Sequence, residues 1–166
     1  MLAIAIDNCV ISHYIADRLP PDLMKEKEAF EEMISLHEQK VIEIGWPFTT
    51  GLIENAMKNC ESRSKVEVLL RDKGIPKIWP VLDSTPQETQ QQAICLKKII
   101  GDTNGFDSKQ LVIIAKVTQA RYFVTTDYKF HRQFNRHKED IKKRCKIGIF
   151  VMTPSEFMIA YKNSKI

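Results

Sequence analysis

The chain has 166 residues, 43% hydrophobic and 28% charged, with six Gly, seven Pro and no low-complexity tract. That is enough to bury one core and too little for two, so a single packed domain over 1–166 is expected, and disorder, collagen and a flexible multi-domain string are disfavoured. The net charge of +4 is uneven, because residues 1–127 carry 15 basic and 18 acidic side chains whereas residues 128–166 carry 10 and 3, which makes the C-terminal quarter the basic part.

Leu2 to Ile6 lacks polar alternation and reads as a strand buried on both faces. Asp7 interrupts it far short of a membrane span or a signal-peptide core, so no membrane partner is expected. Val10, Ile11, Tyr14, Ile15 and Leu19 recur at helical spacing over Asn8 to Leu19, closed by Pro20-Pro21. A second helix reaches about Glu38, and Lys40 to Gly45 forms a short strand broken by Trp46-Pro47. Helical patterns resume over Thr50 to Cys60 and Ser64 to Lys73; Gly74 stops them, and Ile75 to Leu82 is extended and punctuated by prolines.

Thr85-Pro86-Gln87-Glu88 is a capping box for a helix to about Ile100, since Thr accepts an early backbone N–H and Glu reaches back. Gly101 to Phe106 is a loop, Asp107 opens a helix to Gln119, and Arg121 to Thr125 is a strand that stops near Asp127. A basic helix over Phe130 to Arg144, a strand over Ile147 to Val151 and a second capping box at Thr153-Pro154-Ser155-Glu156 complete the chain. Helices between all the strands predict a three-layer α/β/α domain around a central parallel sheet of about five strands.

Cys9, Cys60, Cys95 and Cys145 are scattered without C-x-x-C or zinc-finger spacing. Neither a disulfide framework nor a structural zinc is expected, and a reducing cytoplasm fits best. The basic run from Arg132 to Lys146 begins beside Tyr128, Phe130 and His131, a mix suited to phosphate contact with stacking; the plainer reading is a solvated helix face.

Two buried-looking strands each deliver an acid, Asp7 and Asp127, at or just past the C-terminal end, the edge where parallel sheets bind ligands. A third, Asp107, opens the helix before the second of these strands. Carboxylates converging without matching cations repel one another, and a hard divalent ion, Mg²⁺ or Mn²⁺, resolves that conflict with oxygen ligands. Each acid also has a simpler reading: Asp7 as the N-cap of the helix from Asn8, Asp107 as the cap in Asp107-Ser108-Lys109-Gln110, Asp127 as the start of a turn, and Glu54 as a surface residue beside an apolar face.

At these residues the chain resembles the PIN domain, a nuclease fold of microbial toxins and RNA-processing proteins. Ala5 to Ile11 is similar to the opening strand, acid and helix of that family; Thr50-Gly51-Leu52-Ile53-Glu54 is similar to its second acidic segment, Phe106-Asp107-Ser108 to its third, and Phe123-Val124-Thr125-Thr126-Asp127 to its Thr-x-Asp strand end. The resemblance spans most of the chain. It departs at Lys129, where many relatives carry a further acid, and in the length of Arg71 to Ile100.

The resemblance implies that Asp7, Glu54, Asp107 and Asp127 form a catalytic pocket for Mg²⁺ or Mn²⁺, with Ser12 and Thr125 orienting the carboxylates. It implies an endoribonuclease, and the basic helix would hold its RNA substrate through Lys129, His131, Arg132 and Arg136. Membership of a toxin–antitoxin pair would add an antitoxin protein that blocks the pocket, and a homodimer. The competing expectations are a catalytically silent module binding RNA or protein, and a structure-specific DNA nuclease. The sequence lacks the second Asp of dehalogenase-like phosphatases and any Walker-type phosphate loop.

Overall fold

The computed structural model describes residues 2–47, 60–78, 87–101, 120–164 and 166. The expected helices Thr50 to Cys60 and Asp107 to Gln119 lie almost wholly outside these residues, as do Thr85-Pro86, Glu54 and Asp107.

The first strand, β1 (Leu2–Ile6), leads through Asp7 into α1 (Asn8–Tyr14). This helix is shorter than the spacing of Ile15 and Leu19 predicts. Ile15 is its C-cap, and Pro20 stands in extended backbone at φ −59°, ψ 153°, where it cannot continue a helix. Pro21 opens α2 (Pro21–Glu38) at a position where its missing N–H costs nothing. There follow β2 (Ile42–Pro47), α3 (Cys60–Asp72), the two-residue β3 (Lys77–Ile78), α4 (Gln87–Ile100) and β4 (Tyr122–Val124).

The basic segment is α5 (Tyr128–Arg136), a single helical turn at Lys138–Asp140 and a π-helical turn at Ile141–Cys145, in place of one continuous helix. The chain closes with β5 (Phe150–Met152) and α6 (Pro154–Lys162). Both halves of the expected capping box at the start of α6 are present: Thr153 Oγ1 accepts from the Glu156 amide, and Glu156 Oε2 accepts from the Thr153 amide.

Among the described residues all strand pairings are parallel. A four-strand core runs β2-β1-β4-β5, and β3 adds two residues to the outer edge of β2 by pairing with Trp46 and Pro47. Successive residues of a strand point to opposite faces, and two apolar cores result. Ile4 and Ile6 of β1, with Ile42, Ile44, Tyr122 and Val124, pack against α1, α2, α3 and α6 through residues such as Phe30, Leu70 and Phe157. Ala5, Phe123 and Val151 face the other way, onto Leu96 and Ile100 of α4 and onto Phe130 and Phe134 of α5. Truncating one of these fully buried rings to Ala costs about 3–5 kcal/mol.

The cysteine expectation is corrected here. Cys95 of α4 is disulfide-bonded to Cys145 of the π-helical turn, with their Cα atoms 5.6 Å apart. The partners lie 50 residues apart, so chain spacing carries no trace of the contact, which arises because both sit in the second core. The bond removes the cysteine argument for a reducing compartment. Among the described residues no helix is long and apolar enough to cross a membrane.

Candidate active site

Parallel pairing brings the carboxyl ends of β1 and β4 side by side, with the Asp7 amide donating to Val124 O and the Thr125 amide to Met152 O, each at 2.9 Å. The ladder therefore continues past the strands into the candidate site. Thr125 is wholly buried, and its hydroxyl serves both acids. Oγ1 donates to Asp7 Oδ2 at 2.7 Å and accepts the Asp127 amide at 3.0 Å.

The simpler readings of the two acids now separate. Asp127 is a helix cap, its Oδ1 accepting the amides of Lys129 and Phe130 at 3.0 Å each. Asp7 occupies the N-cap position of α1 but makes no side-chain cap bond. Its carboxyl is held above the ordinary carboxylate range chiefly by burial, helped by the charge of Asp127 and opposed by hydrogen bonds from Thr125, Cys9 and the Asn8 amide. No described Lys or Arg is ion-paired to either acid.

Cys9 and His13, neither of them anticipated from the sequence, complete the surroundings. The Cys9 thiol lies 3.2 Å from Asp7 Oδ2 and 3.3 Å from Thr125 Oγ1, and its sulfur accepts the Thr126 amide. Burial and the charge of Asp7 push this thiol up to about 12, so it stays protonated and donates. His13 Nδ1 pairs with Thr126 Oγ1 at 2.8 Å, and burial lowers its imidazole below the usual range against the pull of Asp7. The spacing of Cys9 and His13 on α1 is the signal that was available, because residues four apart lie on one face of a helix. Ser12, expected to orient the carboxylates, is exposed on α1 and joins none of these bonds.

Asp7, Thr125 and Asp127 are thus brought together. Glu54 and Asp107 lie outside the described residues, and among the described residues no three His, Cys, Asp or Glu side chains gather closely enough to hold a metal.

The expected nucleic-acid contacts divide. Lys129, Arg132 and Arg136 are exposed at helical spacing on α5. His131 is turned to protein: its Nε2 lies 2.7 Å from Glu156 Oε2, which holds that carboxyl below its usual range. Stacking on Phe130 is ruled out by its complete burial. Tyr128 is tied to α2, its hydroxyl donating to Glu26 Oε1 at 3.3 Å, and burial together with Glu26 pushes it up to about 12. Glu26 itself is buried and accepts the Ser155 amide and hydroxyl at 2.8 Å each, which docks α2 onto the N-terminus of α6.

No protein-family model matches the chain, and no curated protein sequence matches it.

Proposed function

We propose that the protein is a metal-dependent nuclease of PIN-like fold that hydrolyses RNA phosphodiester bonds. One observation carries the reading: Asp7 and Asp127 lie just past the ends of adjacent parallel strands, the Thr125 hydroxyl joins the Asp7 carboxyl to the Asp127 amide, and burial raises Asp7 above the ordinary carboxylate range with no cap bond made by its side chain. A carboxylate held this way is suited to receiving a cation.

The donor set fits a hard ion. It consists of carboxylate oxygens, and the neighbouring sulfur is kept as a thiol, a poor ligand for a soft metal. When bound, Mg²⁺ or Mn²⁺ supplies the positive charge that polarises a scissile phosphate and activates water for in-line attack. Asp7 and Asp127 would hold it from two strand ends, and by resemblance Glu54 and Asp107 complete the set. Thr125 fixes Asp7 by donation, while His13 anchors Thr126 and with it the turn that carries Asp127. Lys129, Arg132 and Arg136 hold the flanking phosphates. Single-stranded or looped RNA reaches such an edge more readily than a stacked duplex does. A toxin role would add an antitoxin and a homodimer as partners.

The test incubates wild-type protein and Asp7→Asn with a pool of structured and single-stranded RNAs and matched DNA, in Mn²⁺, Mg²⁺ or chelator. RNA cleavage that needs metal and falls at least about 100-fold in the variant is expected. Preferential cleavage of branched DNA would assign a DNA nuclease instead. A folded wild-type protein that cleaves nothing would be a silent binding module.

A further inference from the structure

At the amino-terminal edge of the sheet, opposite the carboxylates, a cavity of about 210 Å³ opens between the residues entering β4 and β5 and the end of α5. Arg121, Lys138 and Lys142 line it against a single acid, Glu139. All three cations are exposed, and no described carboxylate is ion-paired to any of them. Phe150 also lines the cavity and is 44% exposed. Its ring stacks with Tyr122 at 5.6 Å, and the Arg121 guanidinium lies 5.8 Å from its centroid.

Three like charges around one concavity repel one another until an anion joins them, and the Arg fork matches phosphate bidentately. The cavity is several times the volume of a water molecule, so a phosphate does not fill it. An exposed aromatic beside a guanidinium is a stacking platform for a base. We infer that this cavity is a second nucleic-acid contact, which binds phosphates of an RNA strand with a base against Phe150. Its separation from the cleavage edge is set by α5, whose nine residues span roughly 13 Å. The choice of RNA rests on the nuclease reading; the cation cluster does not.

The experiment measures anisotropy of a labelled single-stranded RNA octamer in chelator, where nothing is cleaved. Two variants perturb the cavity independently: Lys138→Glu with Lys142→Glu, and Gly148→Glu. Gly148 lines the cavity, and a Cβ built there meets nothing within 4 Å, so a side chain can leave the backbone at this position and carry a carboxylate.

Each variant is expected to melt like wild type and to bind the octamer about tenfold more weakly, and the double variant to lower the slope of log K against log salt by about 1.4. Unchanged octamer affinity in folded variants would overturn the inference. Adenosine monophosphate binding as tightly as the octamer would reassign the cavity to free nucleotides, and equal competition by oligoglutamate would overturn nucleotide recognition altogether. Failure of the nuclease reading is recognised separately, by absence of metal-dependent cleavage.

Discussion

Asp7 is the acid of the site whose burial the fold leaves without a capping partner. Asp127, half-buried, caps α5 through one oxygen, and the burial of Glu26 is offset by holding Ser155 and Tyr128. Asp7 accepts a hydroxyl and a thiol yet remains above the ordinary carboxylate range. A raised folded value means that the folded state binds the proton more tightly than the unfolded one, so this residue costs stability above its folded value and the cost fades as pH falls towards 3.8. Asp7→Asn keeps an oxygen to accept from Thr125 and removes the charge. In chelator at pH 7.5 the variant is therefore expected to be more stable than wild type by about 0.5–2 kcal/mol, with the advantage shrinking as pH falls towards 3.8. Thermal melts at pH 7.5 and on lowering the pH towards 3.8 check this; a variant less stable than wild type at pH 7.5 would mean that Asp7 serves the fold.

Elements were legible wherever their cause is local. The apolar run of β1 and the capping box of α6 depend on residues within a few positions of one another, and each stands where the sequence predicts. The break in the basic helix was not legible, because Phe130, Phe134, Ile141 and Cys145 keep helical spacing across it and are all buried. Nor was the Cys95–Cys145 bond, or the partnership of Cys9 and His13 with Thr125 and Thr126, since these join segments that meet only after the sheet forms. The disulfide staples α4 to the turn that carries Lys142, Lys143 and Arg144. For a closed loop of 50 residues the chain-entropy account gives about 4 kcal/mol. Replacing both cysteines by Ala is expected to lower stability by up to that amount in oxidising buffer and to leave the melt insensitive to reductant. If reductant fails to lower the wild-type melting temperature, the bond is not formed in solution.

At the scale of the whole molecule, the sheet separates two charge environments and α5 runs between them. The carboxyl edge holds Asp7 and Asp127, the amino edge holds Arg121, Lys138 and Lys142, and Lys129, Arg132 and Arg136 are exposed along the helix that connects them. An acidic edge that lacks its cation raises the free energy of the folded chain, so ion binding and folding must be linked. An ion that binds only the folded state stabilises it by about 2.7 kcal/mol at 100 times its dissociation constant, and for a chain of this size each kcal/mol moves the midpoint by about 2–4 °C. Saturating Mn²⁺ or Mg²⁺ is thus expected to raise the wild-type melting temperature by about 5–10 °C, reversibly with chelator. Asp7→Asn, already relieved of its charge, is expected to start higher and respond little, so the order of the two proteins inverts when metal is added. That inversion separates a site that holds a metal from general screening by a divalent salt, which would shift both proteins alike. If both shift equally, or neither shifts at all, the acidic edge does not bind the ion and the nuclease reading loses its chemical basis.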